Sequence, residues 1–600
     1  MIRIRETNEA ITDLRALRES ILRFAESADE EGETPLTVVF DQGRYPMSEP
    51  LVLDANTHPA LARIRLTMTC EDGVAAFDDL RPIHNELTDV HGSVRRYRLR
   101  KDKNGTPPEL RELFADGVRV PLCRTPLYTH AFHLSEENRR INAENLEGIY
   151  IPKDLADTLP DGDLFPMEIT LYMEWECFTL HALTVDRTRM RTDDEGNPHV
   201  LLKIVPAELY GYVSGVNKGL KTKNRPFYLA NHPSLLTNES FCYHHKTGEL
   251  LYRTESEPTR LEIPTQRTLF IFNDMHGVTL EHLSFSGTTD KVLCRDGYYG
   301  GQANVYMKNG KVTKQREAAI LTRDGRRFTV RDCTFREIGT NAILMTGHPV
   351  CTVIERCRFR HVGMSAVSIG EPLKMWRAPQ ICSRDIRIEN NLIEGIGDVF
   401  PGAPAIGVFR VDGLTIRYNT IDRTSYSAIS VGWEWSPQKL ALGESVNIRD
   451  AEISYNRITN FMQVLNDGGA IYVVGGNCNA ENTRFFNFMH HNFARNEAIK
   501  RTVRGYYLDG SSSNWYVYDN VTSRVQRPVF PQFIVPSELT RNILVERTYS
   551  TEPLDPECHA PERNTVIGEV FLAPTVDALF TEYPQSKEIF DASGVRVPLK

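Results

Sequence analysis

Val330-Arg-Asp-Cys-Thr-Phe335, Ile354-Glu-Arg-Cys-Arg-Phe359, Ile388-Glu-Asn-Asn-Leu-Ile393, Ile416-Arg-Tyr-Asn-Thr-Ile421 and Ile453-Ser-Tyr-Asn-Arg-Ile458 are copies of one phrase. An apolar residue is followed by two polar ones, a Cys or Asn, any residue, and a second apolar one. Met489-His-His-Asn492 and Val517-Tyr-Asp-Asn520 are looser copies, and Leu280 to Phe285 opens the series. The Cys/Asn column falls at 333, 357, 391, 419, 456, 492 and 520, with steps of 24, 34, 28, 37, 36 and 28. A second column follows each first one: Ala342-Ile-Leu, Ala366-Val-Ser-Ile, Ala405-Ile-Gly-Val, Ala428-Ile-Ser-Val, Ala470-Ile-Tyr-Val and Gly505-Tyr-Tyr-Leu. A recurrence of one phrase every 24 to 37 residues marks a solenoid with insertions of variable length, in which each repeat buries its apolar stripe only against its neighbours. Two short β segments in a turn of roughly 24 residues, with insertions of variable length, describe a right-handed parallel β-helix. A leucine-rich solenoid and a propeller are the competing repeat folds, but their leucine and Trp-Asp signatures are absent. The Asn and Cys column is read as a structural ladder at a bend, not as chemistry.

The rest of the chain is arranged around that repeat. Ile11 to Ala25 has helical spacing and precedes short strands, as expected where a capping element covers the open edge of a solenoid. From about Val90 to Asn231 no period is visible, and charges, prolines and irregular strands suggest an inserted, mostly antiparallel β domain. Phe241 to Arg253 reads as a hairpin turning at Lys246-Thr-Gly. The expected division is therefore all-β: 1–90 as capping helix and first coils, 91–235 as the insert, 236–545 as the β-helix carrying the groove, and 546–600 as a C-terminal cap.

Composition bounds the function. The 600 residues are 41% apolar and 25% charged, ordinary for a folded chain. A net charge of −9 on this length argues against nucleic-acid binding through bulk charge. No run of 18 apolar residues exists, so no membrane-spanning helix is expected. The eleven cysteines are scattered without CxxC pairs, so no disulfide framework, metal or cofactor is expected. The first residues lack an apolar h-region, which makes the cytoplasm the expected compartment.

In a solenoid, insertions gather on one face, usually the binding face. The longest follow Ile421, Ile458 and Asn492, and unusual residues sit there: Tyr426-Ser-Ala-Ile-Ser-Val-Gly-Trp-Glu-Trp-Ser436, Met462-Gln-Val-Leu-Asn-Asp-Gly-Gly-Ala-Ile-Tyr472 and Arg504-Gly-Tyr-Tyr-Leu-Asp-Gly-Ser-Ser-Ser-Asn-Trp515. Each holds one acidic residue (Glu434, Asp467, Asp509) among aromatics and glycines. Aromatic rings offer flat apolar platforms to sugar C–H faces, and carboxylates satisfy hydroxyls. A carboxylate pair is also what glycosidic hydrolysis requires.

These three stretches resemble right-handed β-helix proteins of glycoside hydrolase family 141. That family includes α-L-fucosidase and xylanase activities on plant cell-wall glycans. Glu109-Leu-Arg-Glu-Leu-Phe-Ala-Asp-Gly-Val-Arg-Val resembles an edge of the family's inserted domain, and Glu239-Ser-Phe-Cys-Tyr-His-His-Lys-Thr-Gly-Glu-Leu-Leu-Tyr its return hairpin. The resemblance implies a glycoside hydrolase acting on plant- or host-derived oligosaccharide, with Asp467 and Asp509 as the catalytic pair. Trp433, Glu434, Trp435, Arg410, Glu371, His490, Tyr507 and Trp515 are the expected substrate contacts. Counting along the repeats strains against the pair, because Asp467 lies three residues before Ala470 and Asp509 four after the matching Gly505. On a straight strand that is over ~20 Å, so a bend at Asp467-Gly-Gly or Asp509-Gly is required, failing which Asp509 pairs with Glu434. A polysaccharide lyase or uronate epimerase, and a non-catalytic glycan-binding β-helix, are the alternatives.

Overall fold

The structure is a computed structural model describing residues 2–4, 10–30, 33–129, 131, 148–214, 225–290, 298–300, 302, 307–308, 311–312, 317–370, 382–432, 447–475, 486–499, 502–533, 540–555, 558 and 560–599. The chain forms two compact units: residues 1–78, 268–286 and 317–600, and residues 79–267 with 287–316.

The first unit is a stack of coils held by three parallel ladders. The first ladder runs through Thr34–Phe40, Ile64–Cys70, His276–Glu281, Arg326–Arg331 and Val350–Glu355, and continues past Ile448–Ser454 and Asn487–His490. The second includes Leu283–Thr288, Thr334–Ile338, Arg358–Val362 and Leu392–Ile396. The third runs from Leu51–Asp54 and Phe270–Asn273 to Gly468–Val474, Val503–Asp509 and Arg527–Pro531. Three strands per coil therefore replace the expected two. The reason lies inside the repeated phrase, which straddles two strands instead of forming one. Asp332, Arg356, Asn390, Tyr418, Tyr455, His491 and Asp519 all take φ between 51° and 58°, and each turns the chain just before the Cys/Asn position. A left-handed residue at that place rotates the next strand onto a new face.

The polar column behind each corner is buried and saturated. The Asn391 N–H and Nδ2 both donate to Asn419 Oδ1, at 3.1 and 3.0 Å. Asn419 donates in the same way to Asn456, Asn456 to Asn492, and Asn492 to Asn520. Cys357 joins the ladder through its N–H, which donates to Asn391 Oδ1 at 2.9 Å. The column is structural, as read from sequence. Beneath it, Phe285, Phe335 and Phe359 stack in successive coils with ring centroids 5.1 and 4.9 Å apart.

Helices flank the stack at its first coils and along its second ladder. The helix Ala10–Ser27 buries Leu14, Leu17, Ile21 and Ala25, and its Arg18 Nε donates to Val52 O at 3.0 Å. Helices Val576–Glu582 and Pro584–Ala592 pack Leu579 and Ile589 against Phe493, Val521 and Tyr549, which lie in register on successive strands of the second ladder. No described helix is long and apolar enough to cross a membrane.

The second unit is antiparallel. Gly148–Pro152, Pro198–Ile204, Cys177–Thr192, Glu168–Tyr172 and Phe227–Ala230 follow one another across one sheet. Tyr298–Gly300 adds a sixth strand beside Cys177–Thr192, and two four-stranded sheets and the two-stranded Met307–Lys308/Lys311–Val312 ribbon make up the rest among the described residues. The hairpin Ser240–His244/Glu249–Arg253 forms as expected, but it belongs to this unit. The chain divides at 78/79 and 267/268, not at the 90/91 and 235/236 positions read from texture. The physical reason is pairing: Val94–Arg98 and Leu80–Pro82 zip against Glu249–Arg253 and Leu261–Pro264.

Candidate active site

Asp467 stands immediately before the third-ladder strand Gly468–Val474, with φ 53°. The Tyr426 hydroxyl donates to the Asp467 carbonyl at 3.1 Å and fixes this turn. In the next coil, Arg504 Nη1 lies 2.6 Å from Asp467 Oδ1 and also donates to Thr502 O at 2.5 Å. The guanidinium rests on the faces of Tyr507 and Phe530, 4.5 and 5.2 Å from their centroids. Such stacking suits the planar Arg group and holds it in place. The Arg504 side chain is 7% exposed and that of Asp467 28%, so the cation is sequestered while the carboxylate keeps an open side.

Asp509 closes the strand Val503–Asp509. Its Oδ2 accepts from the Tyr472 hydroxyl at 2.5 Å, and its Oδ1 accepts from the Gly510 N–H at 2.7 Å. Tyr472 pairs with Tyr507 in register, and their rings meet edge to face with centroids 5.2 Å apart. The Tyr507 hydroxyl in turn lies 3.5 Å from Asp467 Oδ1. Burial, then the Asp509 charge, pushes the Tyr472 phenol far above its ordinary range. Tyr507 is raised by burial, then by Asp509 and Asp467. Both phenols therefore stay protonated and act as hydrogen-bond donors. Gly505 makes this tight packing possible, since a Cβ there would collide with the carbonyl of Pro528.

Asp467 precedes the first paired rung and Asp509 lies on the last, opposite Val474. The turn at Asp467 does not place one carboxylate on the other. The side chains bridge them instead, as Asp467–Tyr507–Tyr472–Asp509.

Residues 265–434 match the family model for the right handed beta helix region. The coil stack is a right-handed parallel β-helix. A solved structure described as "Glycoside hydrolase" matches 97% of this chain and 95% of its own at 16% identity, with a TM-score of 0.73. At that identity the likeness is one of fold. Two others match at TM-scores too low to carry an argument. They are the catalytic domain of a GH87 alpha-1,3-glucanase in complex with nigerose (TM-score 0.30, 8% identity, 82% and 94% covered) and PfbA, a surface adhesin of Streptococcus pneumoniae (0.33, 9%, 94% and 88%). No curated protein matches the sequence.

The other expected contacts fall in several places. Trp433, Glu434, Trp435 and Glu371 lie outside the described residues. Trp515 is fully buried in the first ladder, between Asn487 and Ile543, so it offers no face to a sugar. Tyr507 is 2% exposed: it is a hydrogen-bonding partner of Asp467, not an open platform. Arg410 is buried at the edge between the third and first ladders, with φ 45°. His490 lies on a different face, in the first ladder, stacked on Tyr518 at 4.7 Å. Its Nδ1 is 2.9 Å from His491 Nδ1 and its Nε2 is 3.6 Å from Glu452 Oε1. His490, then Ser454, holds the Glu452 carboxyl down at about 2. This group joins neither aspartate through any described contact.

Tyr472, read from sequence only as an aromatic beside the acids, and Arg504, read only as a cation that a lyase could use, were not among the named substrate contacts. Aligning Gly469-Ala-Ile-Tyr472 over Arg504-Gly-Tyr-Tyr507 puts Tyr over Tyr and was open to sequence reading. The Arg504–Asp467 pair was not, because it depends on the turn at Asp467.

Proposed function

We propose that the protein is a glycoside hydrolase acting on oligosaccharides, with Asp467 and Asp509 as its carboxylate pair. The observation that carries this reading is the Asp467–Tyr507–Tyr472–Asp509 chain: two half-buried acids on adjacent coils, each given its own donors. Arg504 supplies Asp467 with a counter-charge, which suits the residue that must stay ionised. We assign Asp467 as the nucleophile or as the base that takes a proton from water. Asp509 is assigned as the acid that delivers a proton to the glycosidic oxygen as the C–O bond breaks. Its partner Tyr472 stays neutral and can keep a hydrogen bond through the proton's departure. Carboxyl groups about 5–5.5 Å apart around the bound sugar give retention of configuration, and about 6.5–9.5 Å inversion.

The resemblance to glycoside hydrolase family 141 supports fucose- or xylose-containing plant or host oligosaccharides as the substrate class. Eliminative cleavage of a uronate requires a cation free to neutralise the sugar's carboxylate. Arg504, the described cation in contact with Asp467, is buried and committed to that carboxylate, which favours hydrolysis. The test is product analysis after incubating the protein with aryl fucosides, aryl xylosides and cell-wall oligosaccharides. Hydrolysis predicts saturated sugars with new reducing ends. Products that absorb in the ultraviolet as unsaturated uronates would replace this reading with a lyase, and no release from any substrate would refute it.

A further inference from the structure

A cleft opens in the β-helix unit, at the edge where the third ladder turns into the first. It encloses about 560 Å³ and is lined by Asp274, Asp324, Arg326, His348, Val350 and Arg384, among others. Three features of the coil geometry build it. Asn273 pairs with Arg323 across the third ladder, so Asp274 and Asp324 follow on consecutive rungs, both left-handed at φ 50° and 53°. Arg326, Val350 and Arg384 are paired in register in the first ladder, so the two guanidinium-bearing positions flank one valine. Asp324 is pinned on its inner side, where Oδ1 accepts the His348 N–H at 2.9 Å, and a Cβ on Gly347 would collide with that carboxylate.

The charges on the walls define the ligand. Arg326 and Arg384 are exposed, and neither has an ion-pair partner among the described residues. Two carboxylates in the same cleft repel an anion, and two guanidinium groups repel a cation. A neutral ligand carrying many hydroxyls satisfies both sets, because each hydroxyl donates to a carboxylate and accepts from a guanidinium. Asp509 occupies the matching edge further along. Six third-ladder steps separate the strand Ala318–Arg323, which precedes Asp324, from Val503–Asp509, and four separate Val367–Ile369, which precedes Arg384, from the same strand. At about 4.8 Å per step that is ~19–29 Å along the axis, a span that an oligosaccharide covers and a monosaccharide does not.

We propose that this cleft is a second saccharide-binding site, which engages a glycan chain at a distance from Asp467 and Asp509. Its ligand class rests on the glycan reading above, but binding here does not require hydrolysis. The test uses the full chain carrying Asp509→Asn and calorimetric titration with xylohexaose, cellohexaose and a fucosylated xyloglucan oligosaccharide. At least one should bind, and adding Arg326→Ala with Arg384→Ala should weaken that binding tenfold or more, because hydrogen bonds to charged groups are lost. Failure of all three sugars to bind, or equal affinity in the doubly substituted chain, would overturn the proposal. Hydrolysis is scored separately in the wild-type chain. Arginine-dependent binding without any cleavage refutes the reaction and leaves this site standing. Cleavage with arginine-independent binding does the reverse.

Discussion

Asp467 and Asp509 differ in the company they keep, and that difference is what the proposed division of labour uses. Asp467 faces a stacked guanidinium, whereas Asp509 faces a phenol and a backbone N–H. Tyr472→Phe removes one hydrogen bond to Asp509 and leaves the ring packing intact. A hydrogen bond to a charged group contributes about 1.5–3 kcal/mol, so kcat/KM is expected to fall about ten- to a hundredfold. Steady-state kinetics with an aryl glycoside checks this, and unchanged kinetics would separate Asp509 from the reaction. At this scale the sequence was partly legible. The two aspartates stood out because each precedes glycine in a coil that departs from the repeat. Trp515 and Tyr507 were misread, since an aromatic near a coil end looks the same in sequence whether its ring points into the stack or out of it. Only the strand parity set by the preceding left-handed corner decides that.

The coil is the element that makes the site, and its corner is the most constrained part of the coil. Asn419 Oδ1 accepts two donors from Asn391, while the two N–H groups of Asn419 Nδ2 donate to Ile388 O and Asn456 Oδ1. Asn419→Ala strands several buried polar groups at once, each costing about 1–3 kcal/mol. The variant is expected to lose on the order of 3 kcal/mol or more, read as a lowered midpoint in denaturant unfolding. A shift within error would mean that the ladder relaxes around the gap. The periodic Cys/Asn column announced this corner, but the count of two strands per coil was wrong. The sequence pattern marks where apolar residues recur. It does not mark the left-handed residue between them, which can be Asp, Arg, Asn, Tyr or His. No single residue type signals the break that divides one apparent segment into two strands.

Across the whole molecule, the second unit carries a pH dependence of its own. Glu112 is buried, and burial, only partly offset by Arg119 and by a hydrogen bond from Thr289, raises its carboxyl from 4.5 to about 7. The folded state then binds this proton more tightly than the unfolded state. Stability from this group is fully present below pH 4.5, falls as pH rises to about 7, and is flat above. The loss is on the order of 3 kcal/mol, and Glu112→Gln should remove most of the difference between thermal unfolding at pH 5 and at pH 8. An identical pH difference in the variant would contradict this. The antiparallel texture of this unit was legible in the sequence. Its limits were not, because they are set by pairings between strands more than 150 residues apart, such as Val94–Arg98 with Glu249–Arg253. At the same scale, the central claim is that two acids from adjacent coils act on one glycosidic bond. The most direct measurement is the rate of sugar release by Asp467→Asn and Asp509→Asn, each compared with wild type under conditions where all three unfold at the same temperature. The account predicts that each variant loses about a thousandfold or more in kcat. If either variant cleaves as fast as wild type, that aspartate has no part in the chemistry and the claim fails.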